Sequence, residues 1–113
     1  MPVELTYEKC RLTAALSGEI DHHSAAYLRE QIDQALAKTR PPTLTLDFDA
    51  VTFMDSSAVG LVMGRFKTVG SFGGALEVVN LSPLGYRMMR MSNLQSLAKL
   101  QQKPQEEKER ACV

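Results

Sequence analysis

The sequence predicts a single α/β domain: a mixed β-sheet of four to five strands, with helices packed mainly on one face. Three observations predict this fold class. Apolar residues follow strand and helix periods in the order β-β-α-β-α-β-α-β. The strand segments alternate apolar and polar residues, whereas strands covered on both faces are continuously apolar. Finally, 113 residues with 44% hydrophobic and 23% charged residues suit one globular domain.

The first two predicted strands form a hairpin, and a helix follows them. Apolar and polar residues alternate over residues 3–7 and 12–16, which is strand periodicity. We expect Gly18 to end the second strand. Asp21 or Ser24 then caps the helix, because a short oxygen-bearing side chain accepts hydrogen bonds from the free N–H groups of a first turn.

The middle of the chain predicts a strand, a helix and another strand. Residues 43–48 form the third strand, since Leu44, Leu46 and Phe48 share one face. The second helix begins after the triplet Asp55-Ser56-Ser57 and ends in a glycine-rich segment, residues 70–74, and residues 75–79 form the fourth strand.

The third predicted helix begins with Ser82 as its N-cap and Pro83 in its first turn. Helical spacing predicts that Met89 is exposed, while three other apolar residues form the buried stripe: Leu84, Met88 and Met91. A short edge strand is expected at residues 97–100. The domain then covers residues 1–100, and residues 101–113 form a polar C-terminal tail.

Composition excludes several classes of protein. Thirteen basic residues balance thirteen acidic ones, so we expect no nucleic-acid partner and no membrane partner. No apolar run reaches the ~18 residues of a membrane span, and the first residues lack the pattern of a signal peptide. We therefore expect a cytoplasmic protein. Cys10 and Cys112 are too few for a disulfide framework or a zinc site.

Other candidate sites lack the residues that their chemistry needs. His22 and His23 are adjacent, and neighbouring helical residues point about 100° apart, too far to share one ion. Asp47, Asp49 and Asp55 offer oxygen ligands for Mg²⁺. However, no G-x-x-x-x-G-K or G-x-S-x-G sequence is present. We expect no catalytic residue, no metal site and no cofactor.

The triplet Asp55-Ser56-Ser57 has two interpretations. A cap alone would stabilise the helix by about 1 kcal/mol and needs one such residue. Two serines and an aspartate exceed that need. A hydroxyl at a helix start is accessible, and a phosphate placed there meets the positive end of the helix dipole.

Three segments carry a resemblance to a known family. They are GEIDHHSA at residues 18–25, LTLDFDAVTFMDSSAVG at 44–60 and GRFK at 64–67. Together they resemble the STAS domain of anti-sigma-factor antagonists, over almost all of residues 3–100. The Asp-His-His stretch is similar to the sporulation branch, whose members antagonise an anti-sigma-F factor.

This resemblance implies a regulator that catalyses no reaction. The anti-sigma factor, a serine kinase that binds ATP or ADP, would phosphorylate Ser56, and a PP2C-type phosphatase would reverse the modification. The dephosphorylated form would bind the anti-sigma factor and release the sigma factor. The residues implied in partner binding are Asp21, Met54, Asp55, Ser57 and Gly60. We expect a monomer.

Two departures and two alternatives accompany this interpretation. Ala58 stands where the family commonly has glycine, which leaves less clearance for a docking kinase, and residues 101–113 lack the apolar stripe of the family's last helix. A general-stress antagonist of the same family differs mainly at the histidine pair. A phosphoaspartate receiver would use Asp47 or Asp55 with Mg²⁺, and it would need a lysine after a late strand that this sequence lacks.

Overall fold

The computed structural model describes residues 2–104 of the chain. Segments with the strand period form strands and segments with the helix period form helices, in the predicted order. The elements are β1 (Val3–Glu8), β2 (Arg11–Ile20), α1 (His22–Thr39), β3 (Thr43–Met54), α2 (Ser57–Gly70), β4 (Ala75–Leu81), α3 (Pro83–Met91), a short 3-10 helix (Leu94–Ser96) and β5 (Lys99–Gln102).

The strands form a mixed five-stranded sheet in the order β1-β2-β3-β4-β5. The β1–β2 pair is antiparallel, and every other neighbouring pair is parallel. The apolar core residues alternate along the central strands, as the sequence predicts: Leu12, Ala14 and Leu16 in β2, and Leu44, Leu46 and Phe48 in β3. Thr45, on the other face of β3, is buried as well. The helices cover this apolar face, so the predicted fold class is confirmed.

The turn between β1 and β2 has an unfavourable backbone conformation. Lys9 has φ 52° and Cys10 has φ 65°, so both L-residues lie in the left-handed region. A two-residue hairpin needs positive φ at both positions to match the twist of its strands, and glycine or asparagine usually occupies them. The positive φ that the two-residue hairpin requires is therefore adopted by Lys9 and Cys10 although both residues favour negative φ.

β2 and β3 are both longer than predicted. Gly18 does not end β2. It has φ +78° and lies next to a shift in register, so the strand continues to Ile20. β3 pairs with β4 only as far as Asp47 but with β2 as far as Met54. The two strands therefore continue beyond the rest of the sheet as a two-stranded extension.

The predicted buried stripe of α3 is wrong. Met89 is fully buried, whereas Leu84 is 63% and Met91 81% exposed. A Cβ atom on Gly85 would lie 2.5 Å from Cε of Met54. The glycine therefore lets this face of the helix approach the sheet closely, and the face that carries Leu84 and Met91 turns outward. The predicted capping by Ser82 and Pro83 is confirmed.

The strands at the C-terminal side differ from their predicted bounds. β4 continues to Leu81. β5 is shifted by two residues, because Leu97 and Ala98 lie before it and it includes Gln101 and Gln102, which the sequence assigned to the tail. The backbone N–H of Lys103 donates to the carbonyl oxygen of Leu81 over 2.8 Å. Residues 105–113, the rest of the predicted tail, lie outside the described residues. Between residues 2 and 104, no helix is both long enough and apolar enough to span a bilayer.

Candidate functional site

The two-stranded extension brings two strand-to-helix loops together. Ile20 pairs with Met54 across the parallel strands. The next backbone N–H, that of Asp55, donates to the carbonyl oxygen of Ile20 over 3.2 Å. Asp21 and Asp55 therefore follow neighbouring strand ends, and the loop before α1 lies beside the loop before α2.

Asp21 is the N-cap of α1. One carboxylate oxygen accepts from the backbone N–H groups of His23 and Ser24, at 3.0 and 2.9 Å, and the Ser24 hydroxyl oxygen accepts from the backbone N–H of Asp21 at 3.0 Å. The hydrogen bond from the Ser24 backbone is the main cause that lowers the pKa of Asp21 below its ordinary value. The predicted cap is confirmed, and Asp21 has a structural role whatever else it contacts.

Asp55 provides the cap that the triplet predicts. Its Oδ1 accepts from the backbone N–H of Ser57 at 2.8 Å, and its carbonyl oxygen accepts from Ala58 at 3.0 Å. Ser56 occupies the N-cap position itself, yet its side chain makes no capping hydrogen bond, and the residue is exposed. The hydroxyl of Ser56 is therefore accessible at the start of α2 and is not part of the helix cap.

The other residues implied in partner binding lie close to Ser56 along the chain. Ser57 is half-buried, and Gly60 is exposed one turn further along α2. Met54 is half-buried and packs against the core. Ala58 is fully buried, so its methyl group faces the interior and does not reduce the clearance on the outer side of the helix.

Sequence reasoning missed an apolar surface beside Ser56. The exposed face of α3 and the first turns of α2 border an open depression of about 530 Å³, lined by Ser56, Val59, Leu84, Arg87, Met88, Met91 and Ser92. An exposed apolar surface of this kind is typical of protein interfaces. The sequence indicates this surface, because Leu84, Met88 and Met91 lie on one apolar stripe of α3. That stripe was predicted to be buried in the core.

The acidic residues considered for Mg²⁺ do not converge. Asp47 accepts a hydrogen bond from Nδ2 of Asn80 at 2.9 Å, and Asp49 forms an ion pair with Lys103 at 3.2 Å. Asp49 and Asp55 are six residue steps apart along an extended segment, a distance of about 20 Å. Within the part of the chain that the structure describes, no three or more His, Cys, Asp or Glu residues could hold a metal ion. The acid site of a receiver domain is therefore not assembled.

Comparison with known sequences gives a consistent result. The STAS domain family matches residues 5–107. An anti-sigma F factor antagonist of Paenibacillus polymyxa is 33% identical over 94 residues, which cover 83% of this chain and 80% of that protein. An anti-sigma-B factor antagonist of Bacillus subtilis is 35% identical over 82 residues, 73% of each chain.

Solved structures agree with the sequence matches. The anti-sigma factor antagonist SpoIIAA in its unphosphorylated form matches with a TM-score of 0.75 and 29% identity, over 94% of this chain and 90% of the other. The Bacillus cell fate determinant SpoIIAA in its phosphorylated form matches with a TM-score of 0.72 and 28% identity, over 98% and 99%. The sheet and helices described above are thus the fold of a characterised group of proteins.

Proposed function

The chain belongs to the STAS domain family and, within it, to the anti-sigma factor antagonists, and on this premise we propose that phosphorylation of Ser56 switches it off. The dephosphorylated form binds an anti-sigma factor and thereby releases a sigma factor. The anti-sigma factor, with ATP bound, is the serine kinase, and a PP2C-type phosphatase restores the hydroxyl. The observation that carries this proposal is the exposed Ser56 side chain, free of any capping hydrogen bond.

The fold tolerates a phosphoryl group at this position. Asp55 already caps the helix through Ser57, so modification of Ser56 removes no capping bond. A phosphoryl group adds about 1.5 to 2 negative charges at pH 7. The N-terminal end of α2 favours such an anion by typically 0.3 to 1 kcal/mol, which offsets part of the repulsion from the Asp55 carboxylate.

Binding suffers more than folding. The added charge lies beside Asp55, and Asp21 is on the adjoining loop. Asp47 and Asp49 lie earlier in β3, more than a Debye length of about 8 Å from Ser56, and each has its own partner. A partner surface shaped for a neutral hydroxyl must desolvate the new charge. A penalty of about 3 kcal/mol lowers affinity on the order of a hundredfold.

The surrounding residues receive roles on the same basis. Asp55 fixes the start of α2 and so positions Ser56 for the kinase. Asp21, Met54, Ser57 and Gly60 complete the surface that the anti-sigma factor contacts. The protein acts as a monomer in the cytoplasm and carries out no reaction itself, because the nucleotide and the phosphoryl transfer belong to its partner.

Mapping the phosphate tests the proposal. The protein is incubated with its cognate anti-sigma kinase and ATP, and the modified residue is identified by mass spectrometry. We expect one phosphate, on Ser56. Ser56→Ala should remain unmodified and keep its partner affinity. The control Ser57→Ala, which retains the backbone N–H that Asp55 accepts from, should still be phosphorylated at Ser56, at a rate lowered by any contact that the Ser57 hydroxyl makes with the kinase. Phosphate found at Ser57 in the unsubstituted protein would refute the assignment.

A general-stress antagonist is the second candidate, because the anti-sigma-B factor antagonist is 35% identical to this chain. The two candidates share the switch and differ in the partner. Binding to an anti-sigma-F factor and to an anti-sigma-B factor, measured in parallel with ADP and with ATP, distinguishes them. We expect the sporulation-type factor to bind more tightly, and stronger binding to the stress-type factor would select the alternative.

A further inference from the structure

The outer face of α3 continues beyond the depression beside Ser56. A second open depression, of about 490 Å³, lies on the same helix and is lined by Pro83, Tyr86, Arg87, Arg90, Met91 and Gln102. Arg87 and Met91 line both depressions, so the two form one continuous surface, which we call the α3 surface. It extends from Gln102, at the end of β5, to Ser56, at the start of α2.

The α3 surface is both apolar and basic. Leu84 and Met91 are largely exposed, and so are Arg87 and Arg90, while α3 contains no acidic residue. Within the described part of the chain neither arginine forms an ion pair, and the guanidinium carbon of Arg90 lies 5.8 Å from the centre of the Tyr86 ring. Such a surface fits an occupant that combines acidic and apolar residues. A second copy of the same surface fits poorly, because it would bring two further arginines.

The chain itself supplies a segment of this composition. β5 ends at Gln102, and the backbone N–H of Lys103 donates to the carbonyl oxygen of Leu81, two residues before α3 begins. The chain therefore leaves the sheet near the start of α3. Residues 105–113 read QEEKERACV. Nine extended residues reach about 30 Å, and a helix of nine residues is about 14 Å long, so this segment can pass along the whole of α3.

The order of residues in segment 105–113 matches the order of features on the α3 surface. The acidic pair Glu106 and Glu107 comes first, and the apolar residues 111–113 come last. The depression that Gln102 borders holds both arginines, and the depression that Ser56 borders holds the larger apolar side chains. Attachment to the same chain also favours this occupant over a separate molecule, since a short tether gives an effective concentration in the millimolar range.

We propose that residues 105–113 bind along the α3 surface, with Glu106 and Glu107 paired to the two arginines and residues 111–113 against the depression beside Ser56. The bound segment covers part of the surroundings of Ser56. On the proposed function, on which this step rests, it competes with the anti-sigma factor. Exposed ion pairs are individually weak, so only part of the molecules hold the segment. If it is bound in about two-thirds of them, the affinity for the anti-sigma factor is about threefold lower than without it.

A spin label locates the segment in the whole 113-residue, unphosphorylated chain. Cys10→Ser leaves Cys112 as the only thiol, and a nitroxide is attached there. We expect the backbone amide NMR signals of Met88 and Met91 to broaden most. The signals of the β1–β2 turn should stay sharp, because β2 runs from that turn toward Ile20 and the turn is at the opposite end of the sheet. Broadening that is spread evenly over the protein surface overturns the proposal.

Substitutions within the segment test the charge pairing. Glu106→Lys with Glu107→Lys should abolish the broadening and, in the unlabelled protein, shift the amide signals of α3. The matched control, Lys108→Gln with Arg110→Gln, changes two charges in the same segment and leaves the acidic pair in place, so the broadening should persist. Broadening that survives the two lysine substitutions contradicts the pairing.

Charge exchange distinguishes a specific contact from a general electrostatic effect. Arg87→Glu with Arg90→Glu should also release the segment. Combining these two changes with Glu106→Lys and Glu107→Lys restores opposite charges in exchanged positions, and at least half of the original broadening should return. A fourfold variant without any recovery overturns the proposal.

Binding of the anti-sigma factor tests the competition. Glu106→Gln with Glu107→Gln should bind it about threefold more tightly, whereas Lys108→Gln with Arg110→Gln should bind it like the natural sequence. Equal affinity of the two variants would refute the competition. The NMR measurements contain no partner, so their failure leaves the Ser56 proposal untouched, and a chain that binds no anti-sigma factor at all would contradict the Ser56 proposal and not the docking of the segment.

Discussion

The backbone N–H of Asp55 donates to the carbonyl oxygen of Ile20 over 3.2 Å, beyond the point where β3 has left β4. This hydrogen bond continues the β2–β3 ladder by one step into the loops. As a result, the cap of α1 and the cap of α2 have a fixed relative position. Under the proposed function, a partner that contacts Ser56 would meet Asp21 in the same place each time, so the two loops would act as one recognition surface.

Asp55, and not Ser56, should control the stability of α2. Asp55→Ala removes the acceptor of the Ser57 N–H and should lower the free energy of unfolding by about 1 kcal/mol. Ser56→Ala should change it by less than about 0.5 kcal/mol, since its side chain makes no cap bond. Urea unfolding measures both values. Asp55→Asn is the control, because the amide oxygen can still accept. A larger loss of unfolding free energy for Ser56→Ala than for Asp55→Ala would show that the Ser56 side chain is itself the helix cap.

A permanent charge at residue 56 should separate binding from folding. Ser56→Asp places a carboxylate beside Asp55 at the exposed start of α2. We expect the affinity for the anti-sigma factor to fall on the order of a hundredfold, while the melting temperature stays close to that of the natural protein. Calorimetric titration and thermal unfolding provide the two readouts. Ser56→Asn, uncharged and of similar size, should retain most of the affinity, and an equal loss in both variants would show that shape rather than charge is sensed.

Stability should decrease with Asp21 protonation at acidic pH. Hydrogen bonds from Ser24 lower the pKa of Asp21 below its ordinary 3.8 in the folded state. The stabilisation is therefore complete above the unfolded-state value and is lost as the pH falls through the lower, folded-state value. Asp21→Asn keeps a cap without this titration. The difference in unfolding free energy between the two proteins should be constant above pH 3.8 and should shrink below it.

The same Asn variant tests partner contact by Asp21. Because asparagine also caps helices well, loss of affinity in Asp21→Asn reports the missing charge and not a frayed α1. Unchanged affinity would remove this carboxylate from the docking surface while leaving its structural role intact.

The two neighbouring methionines of α3 should behave oppositely. Met89→Ala creates a cavity in the core and should destabilise the protein by about 2 to 5 kcal/mol. Met91→Ala, at a position that is 81% exposed, should leave stability within about 0.5 kcal/mol. If the depression beside Ser56 is part of the docking surface, Met91→Ala should instead weaken anti-sigma factor binding. Binding that is unaffected by both Met91→Ala and Leu84→Ala would exclude this face from the interface.

The β1–β2 turn offers a stabilising substitution. Lys9 and Cys10 both have positive φ, a conformation that costs an L-residue roughly 1 to 2 kcal/mol. Replacing the pair by Asn-Gly, the preferred sequence of this turn, should raise the unfolding free energy by about 1 kcal/mol, as measured in urea. Lys9→Ala serves as the control and should give no such gain. The exposed thiol of Cys10 disappears at the same time.

Local patterns predicted the order of elements and the caps, but not the lengths of β2 and β3. A glycine after an alternating segment usually marks a turn, and Gly18 instead accommodates a shift in register with φ +78°. Whether a strand continues past such a glycine depends on the neighbouring strand with which it pairs. The unbroken β3 supplies hydrogen-bond partners up to Met54, and this pairing is not visible in either segment alone.

The orientation of α3 was unpredictable for a related reason. A helix of nine residues fits two apolar stripes about equally well, one through Met88 and Met91 and one through Met89. The small Gly85 decides between them, because close approach to Met54 is possible only on its side. The burial of Arg65 escaped prediction as well, since an arginine at an apolar helical position gives a signal only when the facing residues of α1, such as its ion-pair partner Asp33, are known.

The hydroxyl of Ser56 makes no helix-capping hydrogen bond, and this has a consequence for the lifetime of the protein. A group attached to that oxygen displaces no helix-capping hydrogen bond, so the fraction of molecules that unfold and reach cellular proteases stays nearly the same with and without it. Under the proposed switch, the rate of degradation is then nearly the same for the phosphorylated and the dephosphorylated protein, so the total concentration does not depend on how often Ser56 is modified. The same molecules would then pass through many cycles of phosphorylation and dephosphorylation without being synthesised again.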